Sequence, residues 1–139
     1  MRDIDEVTRD VIGLSMSIHK DLGPGLLESV YETVLAAAIT RNGYSVARQK
    51  PVDIDFDGLK IAGAFRIDLL VDDRLVLEIK SVEQIQPVHS KQLLTYLRLL
   101  KQPVGLILNF GGATMKEGIR RLVNNHMDSA SSASLRDIK

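Results

Sequence analysis

The sequence predicts a single α/β domain with elements in the order α, α, β, β, β, α, β. Three observations lead there. Apolar residues recur every three or four positions up to Asn42 and again after Pro87, the period of amphipathic helices. Between Ser45 and Lys80 the period drops to two and the residues turn β-branched. A chain of 139 residues, 45% of them apolar and 26% charged, has room for one domain that buries its own core.

In residues 5–22, Val7, Val11, Leu14, Ile18 and Leu22 form a helical stripe. Gly23-Pro24-Gly25 ends it, because glycine takes the left-handed position after a helix and proline cannot continue one. A second helix is predicted from Leu26 to Asn42 on Leu27, Val30, Tyr31, Val34, Leu35, Ala38 and Ile39, with Gly43 as its cap. Three strands follow over 46–56, 61–71 and 75–80, with turn signals at Asp57-Gly58 and Asp72-Asp73. Pro51 inside the first marks an edge strand or a bulge, since proline has no N–H for a ladder. Leu93, Leu94, Leu97 and Leu100 carry a third helix between Pro87 and Pro103. VGLILNF, 104–110, reads as a strand buried on both faces. Residues 115–125 fit either a short helix or a final edge strand, the domain closes at residue 127, and the low-complexity tail 128–139 is expected to be disordered.

Lysine plus arginine equal aspartate plus glutamate at 18 each, so the chain lacks the basic excess of a protein that holds nucleic acid mainly by neutralising phosphates. Binding of that kind must use a local patch, for which Lys116, Arg120 and Arg121 are candidates. The absence of cysteine excludes disulfides and thiolate metal sites, and His19, His89 and His126 are too scattered for zinc. A charged start and no apolar run near the ~20 residues of a membrane span predict a cytoplasmic protein. The Gly-Gly of NFGGATMKEG lacks G-x-G-x-x-G and G-K-[ST] and reads as a plain loop.

One stretch sits oddly among buried strands: RIDLLVDDRLVLEIKS, 66–81, sets Asp68, Glu78 and Lys80 into apolar sequence. Strand alternation puts Glu78 and Lys80 on one face and Leu75, Leu77 and Ile79 on the other. It puts Asp68 with Arg66 and Leu70, opposite Phe65, Ile67 and Leu69. A two-residue loop at Asp72-Asp73 pairs Asp68 with Leu77, whereas a three-residue loop, Asp72 to Arg74, pairs Asp68 with Glu78 and Arg66 with Lys80. Side by side, two carboxylates repel unless a cation lies between them. Such a pair suits Mg²⁺ or Mn²⁺, which bind through one or two carboxylates and keep several waters. Lys80 can then activate an attacking water or stabilise charge on a phosphorane-like transition state. The plainer reading is a solvated strand face with Asp68 paired to Arg66 or Lys80.

In GPGLLESVYE, Glu28 falls in the first turn of the second helix with Tyr31 at i+3. Either Glu28 is a favourable helix N-terminal charge beside a core tyrosine with a wet hydroxyl, or it reaches the metal or its water while Tyr31 holds its carboxylate. On the third helix His89, Gln92 and Tyr96 form a polar strip opposite the leucines. That strip is a solvated face or a set of phosphate and base contacts, with Gln92 in reach of Lys80 or the scissile phosphate.

Taken together, G-x-x-E-x-x-Y at Gly25, Glu28 and Tyr31, the acid Asp68, E-x-K at Glu78 and Lys80, and Q-x-x-x-Y at Gln92 and Tyr96 resemble the GxxExxY proteins. These are a small branch of the PD-(D/E)xK nuclease superfamily, and the resemblance runs over roughly residues 10–125. It implies a restriction-endonuclease-like αβββαβ core with an extra N-terminal helix and a mixed central sheet flanked by helices. It implies further that Asp68, Glu78 and the backbone carbonyl of Ile79 hold Mg²⁺ or Mn²⁺ and that Lys80 is the catalytic lysine. Glu28 would be the acid contributed by a helix, with Gln92 and Tyr96 as the motif of exonuclease-like members. Before Asp68 this chain has Arg66-Ile67 where the superfamily name has a proline, a departure that removes no ligand. The expected function is metal-dependent hydrolysis of nucleic-acid phosphodiesters, DNA before RNA, with a homodimer compatible with cutting both strands. The alternatives are a nuclease-fold module that docks nucleic acid or a protein partner without cutting, and an interaction protein whose acids are only surface charges.

Overall fold

The computed structural model describes residues 2–125; the predicted domain end at 127, the tail 128–139 and His126 lie outside the described residues. The elements are α1 (Ile4–Leu22), α2 (Glu28–Arg41), β1 (Val46–Phe56), β2 (Leu59–Val71), β3 (Leu75–Lys80), α3 (Pro87–Leu100), β4 (Val104–Asn109), a 3-10 turn (Lys116–Gly118) and β5 (Ile119–Val123). Asp3 caps α1 by accepting the Asp5 N–H, Asp5 and Glu6 favour its positive end, and Gly23 at φ 73° closes it with an N–H to the His19 carbonyl. The second helix begins at Glu28 rather than Leu26, because the Leu26 N–H is taken by the Tyr31 hydroxyl and Leu27 is extended. Asp57 and Gly58, both left-handed, form the whole turn between β1 and β2, which lets β2 start two residues earlier than predicted.

The sheet order is β1-β2-β3-β4-β5, parallel only between β3 and β4. That parallel pair needs a crossover, which α3 supplies. Residues 115–125 thus give both a helical turn and an edge strand, β5, against β4. The strand carrying Pro51 is the other edge, and its register shifts between Val52 and Ile54. Every residue of β4 is buried.

Two cores sandwich the sheet. Val7 and Val11 of α1 and Tyr31, Leu35 and Ile39 of α2 pack with Leu69, Val71, Leu77 and Leu106. Leu93 and Leu97 of α3 pack with Ile67, Leu70, Val76 and Ile107. Gly105 lets α3 lie close, since a Cβ there would meet the Leu93 and Leu97 methyls at 3.1 Å. Among the described residues no helix is long and apolar enough to cross a membrane.

Candidate active site

The hairpin between β2 and β3 turns over Asp72, Asp73 and Arg74, with Leu69 opposite Leu77, Leu70 opposite Val76 and Val71 opposite Leu75. Of the two registers open to the sequence this is the one that sets Asp68 opposite Glu78. The backbone ladder stops there and the two carboxylates replace it. The Asp68 N–H donates to Glu78 Oε2 at 3.2 Å, and the Ile79 N–H donates to Asp68 Oδ2 at 2.8 Å. Beyond this point β2 stays with β1 as far as Leu59, while β3 stays with β4 as far as Lys80. The sheet therefore forks at the acids.

Strand alternation fails at the fork. Phe65 and Ile67 pack on the α3 side with Leu70, while Leu69 packs on the opposite side, so Asp68 does not face away from both Ile67 and Leu69 as a flat strand requires. Across the pair in β1, Gln49 has a left-handed backbone, φ 48°. The plain reading in which Asp68 pairs with Arg66 or Lys80 is not realised: the ion pairs among the described residues are Arg48–Glu32 and Arg121–Asp5.

Glu78 is 7% exposed, and its carboxyl is pushed up to about 8, first by burial and then by the Asp68 charge, with Glu28 adding to both. The Asp68 N–H and the Lys80 ammonium act in the opposite direction. Lys80 is half-buried and shares the strand face of Glu78. Tyr96 of α3 stacks on Phe65 with centroids 4.1 Å apart, and its hydroxyl is pushed up by burial and then by Glu78 and Asp68, so it faces the fork. Gln92 is exposed one turn earlier on the same side of α3. His89 leaves the strip to cap α3, its Nδ1 accepting the Gln86 N–H at 3.0 Å.

At the N-terminus of α2 Glu28 is exposed and lines a cavity of about 380 Å³ with Leu26, Leu27, Ser81, Val82 and Glu83. Tyr31 does not hold its carboxylate. Fully buried, Tyr31 stacks on Phe110 at 4.5 Å, donates its hydroxyl to the Gly23 carbonyl and accepts the Leu26 N–H. The stack on Phe110 draws this ring inward, and the loop backbone takes its hydroxyl. Its work is to pin the Gly23–Leu26 loop that delivers Glu28. The basic trio is also split: Arg121 pairs with Asp5 at 2.8 Å, and Arg120 folds onto the carbonyls of Glu117 and Ile119.

Two residues escape the sequence reading. Glu32, buried on α2, pairs with Arg48 at 3.2 Å and accepts from Gln49 Nε2 at 2.6 Å; the same Nε2 lies 3.2 Å from Asp68 Oδ1. Spacing i+4 from Glu28 is a legible signal for Glu32. Nothing in the sequence marks a glutamine with a left-handed backbone inside a strand.

A buried carboxyl pushed up beside a second carboxylate is a hard oxygen donor set, and it fits a divalent cation. Among the described residues no group of three His, Cys, Asp or Glu side chains could hold a metal, so this pair needs carbonyl and water oxygens to fill a shell.

Residues 5–122 match the family model of the PD-(D/E)XK nuclease superfamily, and the chain belongs to that superfamily. Among the described residues, a five-stranded mixed sheet and three helices make a restriction-endonuclease-like fold. No curated protein matches the chain.

Proposed function

We propose that the protein is a divalent-metal-dependent nuclease that hydrolyses phosphodiester bonds of nucleic acid, DNA before RNA, and that it is a GxxExxY-type member of its superfamily. One observation carries this reading: Asp68 and Glu78 oppose each other at the fork, where burial and the Asp68 charge disfavour ionised Glu78 and a cation would favour it. Asp68, Glu78 and the Ile79 carbonyl would hold Mg²⁺ or Mn²⁺, with Glu28 accessory only through waters of the ion. When bound, the ion would neutralise phosphate charge and help to supply a nucleophile at neutral pH. Lys80, beside Glu78, orients the attacking water and offsets negative charge that develops on the scissile group. Tyr96 and Gln92 hold phosphate oxygens from α3. Cutting both strands of a duplex calls for two such forks, hence a homodimer, and the cytoplasm is the proposed location.

Linear DNA, circular DNA and single-stranded RNA, each incubated with Mg²⁺, Mn²⁺ or EDTA, test this reading. Metal-dependent products are expected from the wild type and none from Asp68→Ala or Lys80→Ala. Equal cleavage by Asp68→Ala would refute the assignment. The rival reading, a docking module without turnover, is favoured by the lack of a third acid beside the pair among the described residues. It predicts a gel shift of intact DNA that Mn²⁺ leaves uncut.

A further inference from the structure

Five non-glycine residues among those described have a left-handed backbone. Four lie where chains turn: Asp57 between β1 and β2, Asp72 and Asp73 between β2 and β3, and Lys101 at the end of α3. The fifth, Gln49 at φ 48°, lies inside a strand, flanked by the regular pairs Arg48 with Leu69 and Lys50 with Ile67. Glycine would adopt that conformation without strain, and a glutamine inside a strand does so rarely. Strain held at one position beside a candidate site points to the side chain it carries.

That side chain has a defined task. Its Nε2 donates to Glu32 Oε1 at 2.6 Å and to Asp68 Oδ1 at 3.2 Å. An ionised carboxylate only accepts, so the amide nitrogen, with two hydrogens for two acceptors, is the end that must face both acids. Glu32 is itself fixed: it is buried, and its other oxygen accepts from Arg48 Nε and Nη2, while Nη2 also donates to Thr33 Oγ1 at 2.9 Å. Asp68 then has one oxygen on the Ile79 N–H and the other on Gln49, a two-point hold that sets the rotation of its carboxylate.

We infer that Gln49 is a positioning residue, which ties Asp68 to the buried Glu32 of α2 and sets the angle at which Asp68 meets a cation in the fork. The inference rests on the nuclease reading above. It explains why a residue disfavoured by its backbone stands where glycine would be at ease.

Gln49→Gly separates the roles, because it relieves the backbone while removing the side chain whose amide bridges Glu32 and Asp68. The expected result is a melting temperature equal to or above that of the wild type, with Mn²⁺ affinity and kcat each at least tenfold lower and KM for DNA unchanged. In the metal-free protein the Ile79 amide should exchange faster than in the wild type, with the Leu77 amide unaltered. Gln49→Glu sets three carboxylates together and should bind Mn²⁺ without the geometry for turnover. If Gln49→Gly keeps Mn²⁺ affinity, kcat and Ile79 exchange within twofold of wild type while Asp68→Asn loses metal and activity, Gln49 only shapes the strand; the inference falls and the nuclease reading stands. If the wild type neither binds Mn²⁺ nor cuts, both fall together.

Discussion

Glu78 holds its proton into the neutral range, and this has a measurable cost. A folded-state value of about 8 against 4.5 for the free group means that between these limits the folded chain binds a proton that the unfolded chain releases. Metal-free stability should therefore fall as pH rises through that window, by up to about 1.4 kcal/mol per pH unit from this group alone. Glu78→Gln keeps the acceptor for the Asp68 N–H, removes the slope and raises the pH 8 melting temperature; urea melts at pH 5 and pH 8 that match in both proteins would contradict this. Tyr31 offers a second test at this scale. Tyr31→Phe keeps the stack on Phe110 but strips the hydroxyl from the Gly23 carbonyl and the Leu26 N–H, and should cost about 1–3 kcal/mol in denaturant unfolding. No loss would mean that the loop before α2 is held by other contacts. Asp68, Glu78 and Lys80 were legible as residues because charges interrupt an apolar strand pattern. Gln49 and Glu32 were not, because their meaning comes from a hydrogen bond between a strand and a helix 17 residues apart in the chain.

At the scale of elements, the sequence period and the turn residues locate β1 to β3 within two residues of where they lie. The register between β2 and β3 was not legible, since both hairpin loops satisfy the same pattern. A tertiary contact reinforces the observed one: the Asp72 carboxylate accepts the Ser45 N–H at 2.8 Å and its hydroxyl at 3.1 Å, from the start of β1. The Gly-Gly loop after β4 shows the same dependence on packing. It is the plain loop expected, yet Asn109 binds the Val82 backbone through both side-chain groups and draws the loops together. A Cβ on Gly111 would sit 2.4 Å from Val82 backbone atoms, whereas one on Gly13 in α1 meets nothing within 4 Å. Gly111→Ala should then cost at least about 2 kcal/mol, and Gly13→Ala should stabilise by about 0.5–1 kcal/mol. Thermal melts that move both variants the same way would rule out this reading of the loop.

Across the whole molecule, the site follows from the sheet order. Two antiparallel strands and a parallel pair share β3, so β2 and β3 part company where their outer partners lead them, and the acids fill the gap that the ladder leaves. The class of fold was readable because hydrophobic period changes with element type. The fork was not, because divergence is set by which strands pair outside it. In a chain with zero formal charge and a split basic trio, the fork is a place where Asp68 and Glu28 both push the Glu78 carboxyl up. The most direct test is calorimetric titration of Mn²⁺ at pH 7 in two buffers of different ionisation enthalpy. Because Glu78 carries a proton there, binding should release about one proton per ion in the wild type and none in Glu78→Gln. Binding without proton release would contradict the raised Glu78 carboxyl, and no binding at all would contradict a cation site at the Asp68–Glu78 fork.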